Sequence, residues 1–322
     1  MNTCVASQSP SPVPSERTRL SRRSALLALA WAPLAGCGGL ARQAAEEPPE
    51  IRMVDVPGAT LEVQFAPGLD AQVRSLALAW VQRSGLAVAA YFGRFPLPQV
   101  EILIEPVDGR GAQAGVSYAD PSPLVRVRLG RESTPAHFSE DWILVHEMVH
   151  LAVPRVPRSQ QWLHEGIATY VEALARGHAG WVSARTVWQA WMREMPHGLP
   201  QVGDRGLDHT PTWGRTYWGG ALFALLADVG MRKHGILGRG LQQALQGVLA
   251  AGGDYRVAWP LTKILATADA AVGQTALTEL YLQMKDRAVI TDLRSLWRDL
   301  GVTDGELRDD APLAAVRRAI LA

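Results

Sequence analysis

His146-Glu147-Met148-Val149-His150 reads H-E-x-x-H inside an apolar, helix-forming run. On a helix of about 3.6 residues per turn, positions four apart lie about 40° apart around the axis, so both imidazoles reach one point. Zn²⁺ takes neutral imidazole nitrogen and carboxylate oxygen, and a catalytic site needs three protein ligands with a fourth position kept for water. Glu147, one step from His146, reaches that water without ligating the metal, which is the place of a general base. The chemistry these types and spacings point to is metal-assisted hydrolysis. The plainer alternative is a surface helix whose histidines are merely solvated.

The flanking residues argue against that alternative. Trp142 to Val145 precede the motif and Leu151 to Val153 follow it, so the histidines sit on a mostly buried helix that Pro154 and Pro157 stop. A second helix is expected from Gln161 to about Arg176, with Glu165, Thr169 and Glu172 sharing one face. Two helices joined by a short proline-containing turn can pack antiparallel, which carries Glu165 toward the histidine pair. Glu172, farther along that face, is a candidate to orient a metal ligand, or else a solvated charge.

H-E-M-V-H followed by W-L-H-E-G-I-A-T-Y-V-E resembles the gluzincins, most closely the bacterial peptidase MA-like group, over roughly residues 61–235. The thermolysin-like and aminopeptidase branches share the same zinc core. The resemblance implies His146, His150 and Glu165 as zinc ligands, Glu147 as activator of the water, and a peptide or protein substrate. It also implies an oxyanion-supporting tyrosine on a later helix, and Tyr217 in Y-W-G-G-A-L-F is the matching position. Two departures stand out. The distance from His150 to Glu165 is shorter than in the long-spaced aminopeptidases, so the connection is trimmed. His164 stands where many relatives carry another polar residue and competes for the third ligand position. It lies about 100° from Glu165 around the helix, so both cannot face the metal equally, and the E-G-x-A context favours Glu165. No aminopeptidase-type G-x-M-E-N segment is present, so recognition of a free amino terminus is not supported.

The sequence of 322 residues opens with Arg17, Arg19, Arg22 and Arg23, then an apolar run from Ala25 to Ala35, then Leu34-Ala35-Gly36-Cys37. This is the charge order and length of a secretion signal, too short for a stable bilayer anchor. The L-A-G-C ending resembles the bacterial lipobox, which implies cleavage before Cys37, lipidation of its thiol and a lipid-anchored protein of the cell envelope. Ser21-Arg22-Arg23 resembles a twin-arginine signal with Ala25 in place of the usual Phe, so the general secretory and twin-arginine routes both stay open. With Cys4 removed and Cys37 acylated, no cysteine is left for a disulfide or a zinc site. Without the leader's four arginines and one glutamate, 28 basic and 30 acidic residues remain of 32 and 31. A net charge near −2 gives no basis for nucleic-acid binding.

The elements that must hold the site read as an α+β, zincin-like domain: a small amino-terminal twisted sheet, the H-E-x-x-H helix and a largely helical carboxy-terminal half. Its expected divisions are a leader over 1–36, a flexible tether over 37–55, a core over 56–235 and a helical remainder over 236–322. Strands are expected at 61–65, 100–104, 115–118 and 124–129, with a long helix at 71–92. Gly115, Val116 and Ser117 are the candidate edge for pairing with extended substrate backbone, or else a plain structural strand. Helices are expected at 181–194, 213–234, 237–250, 257–268, 274–288 and 313–321. The loop from Pro196 to Trp213 is long enough to be a lid or to be disordered, and its His197 and His209 are candidates to assist an oxyanion. Arg215 is a candidate for a substrate carboxylate or a structural ion pair. Trp181, Trp188 and Trp191 have helical spacing and read as core, whereas Trp213 and Trp218 flank Tyr217 as cleft wall.

The functional expectation is a zinc metallopeptidase of the bacterial cell envelope. Its rivals are a non-catalytic zinc-containing lipoprotein acting as a binding or scaffolding module, and a hydrolase of non-peptide amides or wall crosslinks. A scaffold needs neither Glu147 nor Tyr217. The mass of the mature protein checks the leader: a chain beginning at acylated Cys37 is expected, and any other first residue contradicts it.

Overall fold

The computed structural model describes residues 50–322. The expected leader, the lipidated Cys37 and the tether up to residue 49 lie outside the described residues.

Period-two alternation of apolar and polar residues builds a five-stranded sheet. Its strands are β1 (Glu50–Val56), β2 (Ala59–Phe65), β3 (Gln99–Val107), β4 (Ala112–Tyr118) and β5 (Leu124–Gly130), in the order β1-β2-β3-β5-β4. β2, β3 and β5 run parallel, and the outer strands β1 and β4 pair antiparallel with their neighbours. Leu61, Val63, Val100, Ile102, Ile104, Val125, Val127 and Leu129 are all buried on one face, as the alternation requires. Helix α1 (Ala71–Phe92) covers this face; at Gly85 an added Cβ would lie 2.9 Å from Val56 and 3.1 Å from Leu61. The tether expected over 37–55 ends earlier than that: Glu50 to Asp55 belong to β1, in register with β2 from Glu50 opposite Phe65 to Val56 opposite Ala59. Composition alone could not show this, because the strand's order comes from a partner across a hairpin.

The zinc-motif helix follows the sheet. After α2 (Pro135–Glu140), α3 (Ile143–His150) is preceded by Asp141, whose carboxylate accepts the Leu144 N–H at 3.2 Å and the Trp80 indole N–H at 3.1 Å. One side chain thus satisfies an orphan donor of the first turn and ties α3 to α1. The chain turns through Pro154 and Pro157 into α4 (Gln161–His178), then α5 (Ala184–Glu194).

Helix α6 (Gly220–His234) crosses α4 at two facing glycines. A Cβ on Gly166 would collide with the backbone of Gly220, and one on Gly220 with that of Trp162 and Gly166. Only glycine lets the two backbones approach this closely. The helix expected from Trp213 to His234 is present, with one π-helical turn at Arg215–Gly219 leading directly into α6. The remaining helices are α7 (Leu241–Ala250), α8 (Leu261–Val272), α9 (Ala276–Met284), α10 (Leu293–Leu300) and α11 (Ala314–Ile320). The helix expected from Val257 starts only at Leu261. Val257 to Trp259 run extended, bonded through Val257 O and Trp259 N to Arg155 at 2.9 and 3.1 Å, and Pro260 then opens α8.

Gly166→Ala should force α4 and α6 apart and cost about 1–3 kcal/mol, the scale of overpacking a close contact. Urea unfolding checks this, and a variant as stable as the parent contradicts the described crossing.

Candidate metal centre

Helical geometry places His146 and His150 on one face of α3, and the antiparallel return brings α4 across them. Nε2 of His146 lies 3.2 Å from Glu165 Oε2, and Nε2 of His150 lies 3.5 Å from the same oxygen. Donor atoms of the three residues all fall within 4.8 Å of one another. A tetrahedral centre with bonds of about 2.0–2.1 Å has ligand-to-ligand edges of about 3.3 Å, so these spacings fit Zn²⁺ with little adjustment. The three residues are 4–9% exposed. Burial by itself would raise the Glu165 carboxyl, yet hydrogen bonds and charge from the two histidines hold it well below the usual carboxylate range. It stays ionised, as a ligand must.

Glu147 extends toward β4, the edge of the sheet. Ser117 Oγ lies 2.8 Å from both Oε2 and the backbone oxygen of Glu147, with one proton to give to either. A Cβ on Gly115 would lie 2.5 Å from Glu147 Cγ, so glycine is what allows the strand to lie over this carboxylate. Val116, between them, is exposed. The structure therefore brings Gly115, Val116 and Ser117 alongside the metal ligands, on a strand with an unpaired outer edge.

Tyr217 sits in the π-helical turn. Its ring stacks on His146 at 6.2 Å between centroids and 24° between planes. Burial first, then the charges of Glu165 and Glu147, push its hydroxyl above the usual phenol range, so it remains a protonated donor beside the centre. The glycine crossing explains the placement: Tyr217 lies one turn before Gly220, and Glu165 immediately before Gly166. Trp213 is exposed 6.4 Å from the Tyr217 ring, and Trp142 meets His146 edge-on at 5.6 Å.

Other sequence expectations are corrected. Arg215 does not face the cleft: it is buried, with Nε 2.7 Å from Asp204 and Nη1 donating to Gly198 O at 2.6 Å. Buried beside Asp204, the guanidinium is out of reach of a substrate carboxylate; it braces the loop against the π-helical turn instead. Glu172 does not orient a ligand. It accepts from Arg176 Nε at 2.7 Å, while Nδ1 of His146 and of His150 are buried without a hydrogen-bond partner among the described residues. Position 172 lies two turns beyond the metal-facing Glu165, and its neighbouring charge is its own i+4 arginine.

The loop from Pro196 to Trp213 is strapped down. Asp208 accepts from Trp162 Nε1 at 2.8 Å and from the Tyr281 hydroxyl at 2.7 Å, and Leu207 is buried. His209 pairs with Asp286 at 3.0 Å and His197 packs on Trp213, so neither reaches the centre. His164 is not a ligand: its Nε2 lies 3.2 Å from Val153 O, and its ring stacks on His150. Burial and the nearby His150 push it down to about 3, so it is neutral.

Sequence reasoning missed Tyr255. Its hydroxyl donates to Ser117 O at 3.1 Å, and its ring lies 5.2 Å from that of His164. A tyrosine in a Gly-Gly-Asp-Tyr turn carries no local signal of this, since its partners are more than ninety positions away.

No protein-family model and no curated protein matches this chain. Among solved structures its fold is similar to an aminopeptidase N family protein from Idiomarina loihiensis, at 12% identity and a TM-score of 0.60 over 79% of this chain and 49% of that one. An M1 zinc metallopeptidase from Deinococcus radiodurans matches at 19% identity and a TM-score of 0.51, over 76% of this chain and 53% of that one. The chain thus spans about half the length of these neighbours, and the likeness is one of fold. The fold is α+β and zincin-like, and the His146–His150–Glu165 group fits Zn²⁺.

Glu172 carries a pH-dependent consequence. Burial, only partly offset by Arg176, raises its carboxyl to about 7. A raised carboxyl stabilises the fold below the unfolded value of about 4.3 and loses that contribution as pH rises toward the folded value. Glu172→Gln removes the titration. Its stability relative to the parent should therefore rise by about 2 kcal/mol between pH 5 and pH 8. Urea unfolding of both proteins at the two pH values checks this; a constant difference contradicts it.

Proposed function

We propose that this chain is a zinc metallopeptidase that hydrolyses peptide bonds in the bacterial cell envelope, anchored there through lipidated Cys37. The observation that carries the reading is the joint placement of Glu147 and Tyr217 on two sides of the His146–His150–Glu165 group. A metal site kept only for structure needs neither a free carboxylate nor a phenol beside it.

Zinc bound here supplies a Lewis acid for the scissile carbonyl and a water of lowered pKa. Glu147, held by Ser117, takes the proton of the attacking water and delivers it to the departing amine. Tyr217 donates its hydroxyl proton in a hydrogen bond to the oxyanion that develops on the carbonyl. Extended substrate backbone pairs with the free edge of β4 at Gly115, Val116 and Ser117, which sets the scissile bond beside Glu147. Gly115-Val116-Ser117-Tyr118 contains no acid, so this segment itself offers no carboxylate to a free amino terminus. Exposed Trp142 and Trp213 offer apolar walls for a neighbouring substrate side chain. The leader's basic, apolar and L-A-G-C order supports an envelope location.

Glu147→Gln should retain one zinc per chain yet lose nearly all cleavage of a peptide library; cleavage at the parent rate would remove Glu147 from the chemistry. Tyr217→Phe should lower kcat by about 10²–10³, the cost of one oxyanion donor, with little change in KM. An unaltered kcat excludes its hydroxyl.

A further inference from the structure

We propose that His164 is a positioning residue for His150, holding that imidazole in metal-binding orientation by ring stacking where a hydrogen bond ordinarily does so. The inference rests on the metal-centre reading and goes beyond it. A ligating histidine generally donates its second ring N–H to a carboxylate or carbonyl, which fixes the ring's rotation. His150 has no such partner among the described residues: Nε2 faces Glu165, and Nδ1 is buried without an acceptor. Packing must then set the ring's angle.

The ring packed on it is His164, with centroids 4.5 Å apart and planes 7° from parallel. His164 is itself fixed at both ends. Its Nε2 lies 3.2 Å from Val153 O, and a carbonyl can only accept, so that nitrogen carries the proton and donates. This bond fixes the tautomer and the rotation of the ring. Tyr255 backs the other side of the ring at 5.2 Å, and its hydroxyl is pinned to Ser117 O. His150, His164 and Tyr255 thus form three layers reaching from the centre to the edge strand. Ser117, where the outermost layer is anchored, also bonds Glu147. The angle of a metal ligand and the place of the general base are therefore set by one closed circuit of contacts. His146 has no parallel imidazole of this kind; an edge-on Trp142 and the Tyr217 ring flank it.

The test measures metal binding, not turnover. Zinc affinity of the full chain is read by competition with a chromophoric chelator, and cobalt(II) substitution reports ligand geometry through its visible absorption. His164→Leu keeps bulk without a flat ring and should bind zinc about 10–100-fold more weakly, the scale seen when a ligand's orienting partner is lost. His164→Phe restores a flat ring without the Val153 bond and should recover most of that loss, with a parent-like cobalt spectrum. Thermal unfolding of the metal-free proteins separates metal binding from general stability. His164→Leu with parental zinc affinity, or His164→Phe no better than His164→Leu, overturns the proposal. A parent chain without zinc affinity overturns the metal-centre reading as well, which distinguishes the two failures.

Discussion

An ionised carboxylate and two imidazoles share one buried point between α3 and α4. Both histidines point their Nε2 atoms at Glu165 and hold its carboxyl ionised against the effect of burial. Removing a charge from water is expensive unless a counter-charge sits within bonding distance. A divalent ion at that point satisfies all three donors at once and leaves a coordination position open. The rest of the molecule can be understood as scaffolding for this convergence.

Two kinds of constraint supply the scaffolding. The first is the close approach of backbones at glycine: Gly166 against Gly220 fixes α4 on α6, and Gly115 lets β4 lie over Glu147. The second is buried pairing of charge and dipole, as in Asp141 at the start of α3 and Arg215 with Asp204 beneath the π-helical turn. Both act on elements that carry a functional side chain. Helix α3 holds the histidines and Glu147, α4 holds Glu165, the π-helical turn holds Tyr217, and β4 holds the free edge. The long loop before Tyr217 belongs with the scaffolding too, since Asp208 bonds it to Tyr281 of α9 and Leu207 is buried.

What could be read from the sequence was local. His146 and His150 are one helical turn apart, and Glu165 follows after a single short turn, so spacing and hydrophobic pattern sufficed to expect them together. Strands β2 to β5 were readable for the same reason, from local sequence pattern, and α1 matches its expected span of 71–92. What could not be read depended on distant partners. β1 resembled a tether until β2 paired with it. Arg215 read as either a substrate contact or an ion-pair partner, and only the path of the loop that carries Asp204 decides for the ion pair. Tyr255 gave no sign at all, because its value comes from Ser117, 138 positions away. The π-helical turn was not visible in the helix expected over 213–234, and the role of Gly220 shows only in its crossing with Gly166 of α4.

The claim on which all of this rests is that one zinc ion is held by two imidazoles and a carboxylate. Zinc K-edge absorption of the purified protein, loaded with one equivalent of metal, measures that most directly. The expected spectrum shows a four-coordinate centre of nitrogen and oxygen ligands at about 2.0–2.1 Å, with the multiple scattering of two imidazole rings. A six-coordinate aqueous-like spectrum, or one with fewer than two imidazoles, would contradict the account.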